Sequence, residues 1–165
     1  MGMVPSNSEL GSLLDVFFRD VIGVKSSTTV PSHLENKDTF SLLIRGLLKL
    51  THIHPGHISC SLSVKPPVTN AYGGLHGGAV ASVAEMIAIA CARTVVGKEK
   101  ELFLGELSNS YLSAAPQNAE VIVDASIVRS GRNLTVVAVE FRMKESEKLV
   151  YTSRATFYNM PVANL

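Results

Sequence analysis

The chain has 165 residues, a length that suits one domain. Hydrophobic residues make up 46% and charged residues 18%, which excludes a disordered chain and leaves enough apolar mass for a core. A net charge of +1 carries no nucleic-acid signature.

The first residues lack the basic segment and unbroken apolar core of a secretory signal. Gly2 and Ser6 match a short myristoylation pattern that is common by chance, and Ala163-Asn164-Leu165 is a distant relative of a peroxisomal address. The two cysteines, Cys60 and Cys91, read as buried free thiols of an intracellular protein, cytoplasmic or in an organelle such as the peroxisome. Ser8 to Ile22 reads as an amphipathic helix, capped by Ser8 and striped by Leu10, Leu13, Leu14, Phe17, Phe18 and Val21. Polar residues and Pro31 follow. Residues 1–38 are therefore expected to form an N-terminal helix and arm, and 39–160 the main domain.

Phe40 to Leu50 reads as a shorter helix. Ile53 to Val64 reads as a strand, with a turn at Pro55-Gly56, and Pro66-Pro67 ends it. His52, His54 and His57 crowd that turn. No cysteine or acid stands at ligand spacing beside them, so a surface turn is expected and no metal site.

Residues 70–96 are the most informative stretch. Gly73-Gly74 and Gly77-Gly78 flank Leu75 and His76, and a run of small and aliphatic residues follows. Good helix formers and the absence of proline predict a helix from Gly77 to Val96, capped by Gly97. From Ala79 to Ala92 the only charge is Glu85. A helix apolar on every side belongs in the centre of a fold, and a mid-helix carboxylate argues against a bilayer span. Two readings of Glu85 stand: a carboxylate on a wet seam or paired with an arginine, or a catalytic base or nucleophile. The glycines favour the second. They open the helix where backbone N–H groups lack partners, and they allow a substrate oxygen close approach. The helix dipole there favours a developing oxyanion. Glu85 follows Gly78 by seven residues, on the same face and about 10 Å along the axis. That suits acyl transfer.

After Gly97, four strand-like segments run over about 101–113, 119–130, 133–144 and 149–159. Val121, Val123, Ala125 and Ile127 alternate with polar residues, as do Val137, Val139, Phe141 and Met143, which predicts an antiparallel sheet with one face on the core. The expected class is α+β: a curved antiparallel sheet of five to six strands around one long helix, with an extra N-terminal helix. Ser82, Ser108, Ser110 and Ser113 lack a nucleophile-elbow context, which leaves no serine triad. Arg129 and Arg132 flank a tight SGRN turn, and Lys144 and Lys148 flank the next. They are either solvated turn charges or a phosphate-binding rim.

The stretch NAYGGLHGGAVASVAE, with SYLSAAP and the RSGRN turn downstream, resembles the hotdog-fold acyl-CoA thioesterases of the phenylacetate-pathway and acyl-CoA thioesterase 13 types. The resemblance covers roughly Phe40 to Tyr158. It implies hydrolysis of an acyl-CoA to a carboxylic acid and coenzyme A, with a site at a dimer interface and often a dimer of dimers. It implies that Asn70 holds the thioester carbonyl or the attacking water, and that the Gly77 N–H forms the oxyanion site. His76 supports the loop or contacts the thioester, and Glu85 acts across the interface as base or nucleophile. No metal or redox cofactor is implied. Coenzyme A arrives within the substrate, its phosphates on basic residues such as Arg129 and Arg132, from a subunit other than the one giving Glu85. The sequence departs from the family at Leu104, where some relatives carry a water-orienting Ser or Thr. A non-catalytic acyl-CoA-binding protein is therefore the alternative, ahead of a hotdog hydratase or an interaction scaffold.

Overall fold

The computed structural model of the chain describes residues 32–162 together with Ser8, Ser12 and Val16, each of which is helical. The rest of the expected N-terminal helix and arm, the Gly2/Ser6 pattern and the C-terminal tripeptide lie outside the described residues. Within residues 32–162, two α-helices stand among six strands: α1 (Thr39–Gly46), β1 (Leu48–His54), β2 (His57–Ser63), α2 (Gly77–Arg93), β3 (Lys100–Tyr111), β4 (Glu120–Ser130), β5 (Leu134–Met143) and β6 (Leu149–Pro161). The strands form one antiparallel sheet in the order β1-β2-β4-β5-β6-β3.

This order dictates the role of α2. The chain leaves β2, second in the sheet, and must reach β3 at the far edge. It does so through α2, which lies across the inner face and packs on β2 to β6. Val80, Val83, Ala84, Ala88 and Cys91 on the helix meet Val121, Val123, Val137, Val139 and Phe141 on the sheet. Alternation along β4 and β5 points the expected residues inward.

Three boundaries differ from the sequence reading. The helix expected over Phe40–Leu50 stops at Gly46, and Leu48–Leu50 pair with β2 as part of β1. Leucine's helix preference yields there to sheet pairing, and Gly46 makes the break cheap. The strand expected over Ile53–Val64 is a hairpin, with Pro55-Gly56 as its turn. The long helix ends at Arg93 rather than Val96, with Thr94 at its C-cap instead of Gly97. The Thr94 hydroxyl donates to Cys91 O at 2.7 Å and accepts from Gly56 N–H at 2.8 Å, which ties the helix end to the β1–β2 turn.

Nor is α2 enclosed on every side. Its sheet-facing side is buried, whereas Ser82, Glu85, Met86 and Ile89 are half-buried on the opposite side beneath α1. A uniformly apolar helix shows no stripe, so its sequence cannot say which face the sheet takes. Cys60 and Cys91 are buried free thiols. Burial pushes the Cys91 thiol up to about 11.

Candidate functional site

The loop before α2 is held by its own polar atoms. Asn70 Oδ1 accepts from the N–H groups of Tyr72 (3.0 Å) and Gly74 (3.1 Å). Gly73 N–H donates to Asn70 O, and Asn70 N–H to Gly74 O. The turn needs a left-handed residue, and Gly73 supplies it at φ +74°. Leu75 N–H and His76 N–H then bond to Ala115 O and Val68 O, both at 2.8 Å, which sews the loop between two neighbouring segments. Two N–H donors fix which end of the Asn70 amide is oxygen. Its NH₂ group has no partner among the described residues and remains available to donate.

His76 is the N-cap of α2, and its Nδ1 accepts from Gly78 N–H at 2.9 Å. An accepting Nδ1 leaves the ring proton on Nε2 in the neutral imidazole. Gly77 N–H, next to the cap, makes no hydrogen bond among the described residues. Its carbonyl accepts from the Tyr111 hydroxyl at 3.1 Å. A Cβ at Gly77 would meet the Tyr111 ring at 3.3 Å, so glycine is what lets the ring lie there. Tyr111 packs edge-on against Tyr151, whose hydroxyl accepts from Ala115 N–H. Asn70, Gly77, Tyr111, Ser113 and Tyr151 line a cleft of about 290 Å³.

Glu85 lies elsewhere. It lines a second cavity, also about 290 Å³, between α1 and α2, with Phe40, Ile44, Ser82, Met86 and Ile89. No hydrogen bond or ion pair engages its carboxylate among the described residues, so the arginine-paired reading has no support there. The eight residues from Gly77 to Glu85 span about 12 Å of helix, far beyond the roughly 3 Å that proton transfer needs. One chain therefore brings Asn70, His76 and Gly77 together and holds Glu85 apart from them.

Leu104 is half-buried against the core. A bulge between Leu104 and Glu106 shifts the phase of β3, so Leu107 and Asn109 follow it inward while Ser108 and Ser110 are exposed. Neither serine hydroxyl replaces the one that Leu104 lacks. The same shift carries Tyr111 round toward α2. Sequence reading missed Tyr111 because a strand's alternation breaks at a bulge.

Arg129 and Arg132 are exposed near the start of β3, where Lys100 Nζ donates to Arg132 O at 2.7 Å. Asn159 anchors the turn by donating to Gly131 O. Tyr111 closes the opposite end of the same strand. Lys148 stands nearer the cleft, its ammonium donating to Ser113 Oγ at 2.9 Å. At the histidine-rich turn, the His54 and His57 rings stack at 4.9 Å, and His57 lies 3.8 Å from Asp124. No group of three or more His, Cys, Asp or Glu among the described residues is placed to hold a metal. No described helix is long and apolar enough to cross a membrane.

The thioesterase superfamily model matches residues 72–150. Acyl-coenzyme A thioesterase 13 of Homo sapiens is 27% identical over 117 residues, 68% of this chain and 80% of that protein. Thioesterase superfamily member 2 from Mus musculus superposes with a TM-score of 0.67 at 20% identity, covering 94% of this chain and 98% of that one. A Streptococcus mutans protein solved bound to acetyl CoA superposes at 0.64 and 18% identity, over 83% and 98% of the two chains. The chain is thus similar to the thioesterase superfamily over residues 72–150, and it has the hotdog fold of these solved structures.

Proposed function

We propose that the protein is an acyl-CoA thioesterase whose working site combines two copies of the chain. The observation that carries this reading is the pair of unspent donors, Gly77 N–H and the Asn70 amide, in one cleft, with an unpartnered carboxylate held too far off to serve them. The name of the human relative and the acetyl CoA in the Streptococcus mutans structure support the substrate class. In this reading the thioester carbonyl binds at Gly77 N–H, where the helix dipole stabilises the oxyanion. Glu85 of the other copy takes a proton from water, and the hydroxide adds to the carbonyl carbon. The tetrahedral oxyanion collapses, the C–S bond breaks, and the thiolate of coenzyme A takes up the proton. Direct attack by Glu85 is the other route, through a mixed anhydride that water then cleaves. Either route needs no metal or redox cofactor, since coenzyme A is part of the substrate.

The edge strand β3 supports the shared site. Among the described residues it presents a long unpaired edge, and such edges invite pairing with another chain. A dimer or a dimer of dimers follows. The second reading, an acyl-CoA-binding protein without turnover, is favoured by Leu104. Thiol release from a panel of acyl-CoAs, acetyl to palmitoyl with aromatic thioesters, separates the two. Saturable binding without thiol release from any of them would remove the hydrolase reading.

A further inference from the structure

We propose that Tyr111 is a positioning residue for the oxyanion site: it holds the two glycines that open α2, and with them the direction of the Gly77 N–H. The proposal rests on the reading of that N–H as the donor to the thioester oxygen. Gly77 O and Gly78 N–H belong to one peptide unit. The Tyr111 hydroxyl donates to the oxygen at 3.1 Å, and His76 Nδ1 accepts from the N–H at 2.9 Å. Side chains from two distant parts of the sequence therefore hold this unit at both ends. The preceding unit carries the Gly77 N–H. Among the described residues it is bonded at its oxygen alone, where His76 O accepts from Val80 N–H at 3.0 Å.

Two consecutive glycines at a helix start have a wide choice of backbone angles, and the first N–H groups of a helix have no intrahelical bond to fix them. A loose first turn spreads the Gly77 N–H over many directions, whereas oxyanion stabilisation depends on a donor already aimed. The clamp removes that freedom, and the rings add a steric wall. A Cβ at Gly77 would meet the Tyr111 ring at 3.3 Å, and one at Gly78 would meet the His76 ring at 3.1 Å, so each glycine lies against the side chain that bonds to it. Tyr111 is in turn placed from behind. It faces Tyr151 across β3 and β6, the two rings meet edge to face at 5.9 Å, and Tyr151 packs the same way on the buried Phe141. Tyr111 thus passes the rigidity of the sheet to a helix start that glycine leaves soft.

The test uses the full chain and Tyr111→Phe, which keeps the ring against Gly77 and Tyr151 and removes the hydroxyl. Two coenzyme A thioethers serve as probes in titration calorimetry. Trifluoroacetonyl-CoA has an electrophilic carbonyl whose hydrate or adduct presents an oxyanion-like oxygen; S-propyl-CoA has the same chain length and no oxygen there. Wild-type protein is expected to bind trifluoroacetonyl-CoA at least about tenfold tighter. Tyr111→Phe should lose about 5- to 30-fold on that probe, the equilibrium weight of one residue's backbone freedom, and stay within about twofold on S-propyl-CoA. For an acyl-CoA that is hydrolysed, kcat should fall by the same factor, with KM and melting temperature near wild type. Tyr111→Leu, which loses the ring as well, should lose no less. Equal loss on both probes, or a change confined to KM, would make Tyr111 a direct contact of coenzyme A and overturn the proposal. A lower melting temperature with the preference between probes intact would leave Tyr111 with a structural role alone. Unchanged affinities and kcat overturn the proposal and leave the thioesterase reading standing. A wild type that prefers neither probe has no oxyanion site to position, which overturns it as well. A wild-type preference that Tyr111→Phe abolishes, without turnover of any acyl-CoA, keeps Tyr111 in its role and removes the hydrolase reading.

Discussion

His76 and Gly78 are joined by a hydrogen bond in which the imidazole Nδ1 accepts the amide proton at 2.9 Å. The cap and the proposed thioester contact use different nitrogens of one ring. His76→Asn keeps an accepting cap and removes Nε2–H, whereas His76→Ala removes both. The alanine variant should lose about 1 kcal/mol of stability, the usual value of an N-cap. The asparagine variant should melt near wild type. If Nε2–H serves the substrate, both lose turnover; wild-type turnover in the asparagine variant would confine His76 to capping.

Asn70 also splits into two roles. Asn70→Asp retains the acceptor that Tyr72 and Gly74 need and loses the NH₂ donor. Its melting temperature should stay near wild type while turnover falls. Asn70→Ala should lose both. Equal turnover in the aspartate variant and wild type would leave Asn70 with the loop alone.

Glu85→Gln should lower turnover by about 10²–10⁴-fold, the usual value of general-base work, with the fold intact. Near wild-type turnover would sink the assignment. Mixing Glu85→Gln with Asn70→Asp then tests the shared site. In a mixed dimer one site carries both changes and the other carries neither, so co-refolded variants should regain activity that neither homodimer has. An active monomer by light scattering, or no recovery on mixing, would place the whole site in one chain.

The phosphates of coenzyme A have two candidate anchors. Arg129 and Arg132 lie at the opposite end of β3 from the Gly77 cleft of their own chain, so in a dimer they would reach a cleft only from the copy that gives Glu85, contrary to the expectation from the sequence; Lys148 stands beside the cleft in the same chain. Exposed pairs contribute about 0.2–1 kcal/mol each, and a bidentate arginine contact more. The double change Arg129→Ala with Arg132→Ala should raise KM for acyl-CoA and leave acyl-pantetheine little affected. Equal loss on both substrates would show that the arginines only support their turn. A KM effect confined to Lys148→Ala would move the phosphates to the β5–β6 turn.

Cys91 gives a check on the core. Burial raises its pKa from 9.0 to about 11, so the native state holds a proton that the unfolded chain releases in that window. Stability from this group is complete below pH 9 and falls as pH rises toward 11. Cys91→Ala should flatten that part of the stability curve. Alkylation of Cys91 in native protein at pH 8 within minutes would contradict its burial.

Local chemistry determined much of this protein. The glycine pairs, the helix formers after Gly77 and the alternation in β4 and β5 are short-range signals, and from them the long helix, the antiparallel sheet and the candidates His76, Gly77 and Glu85 were readable, while Asn70 entered through the family resemblance. Other features depended on residues remote in sequence. Pairing with β2 turned Leu48–Leu50 into a strand, against leucine's own preference. The bulge after Leu104 brought Tyr111 onto Gly77 by changing the phase of a whole strand. The separation of Glu85 from the Gly77 donors is set by helical rise and was readable in the spacing, but which face of a uniformly apolar helix the sheet covers was not. Such a helix carries no stripe, so only packing in three dimensions assigned its faces.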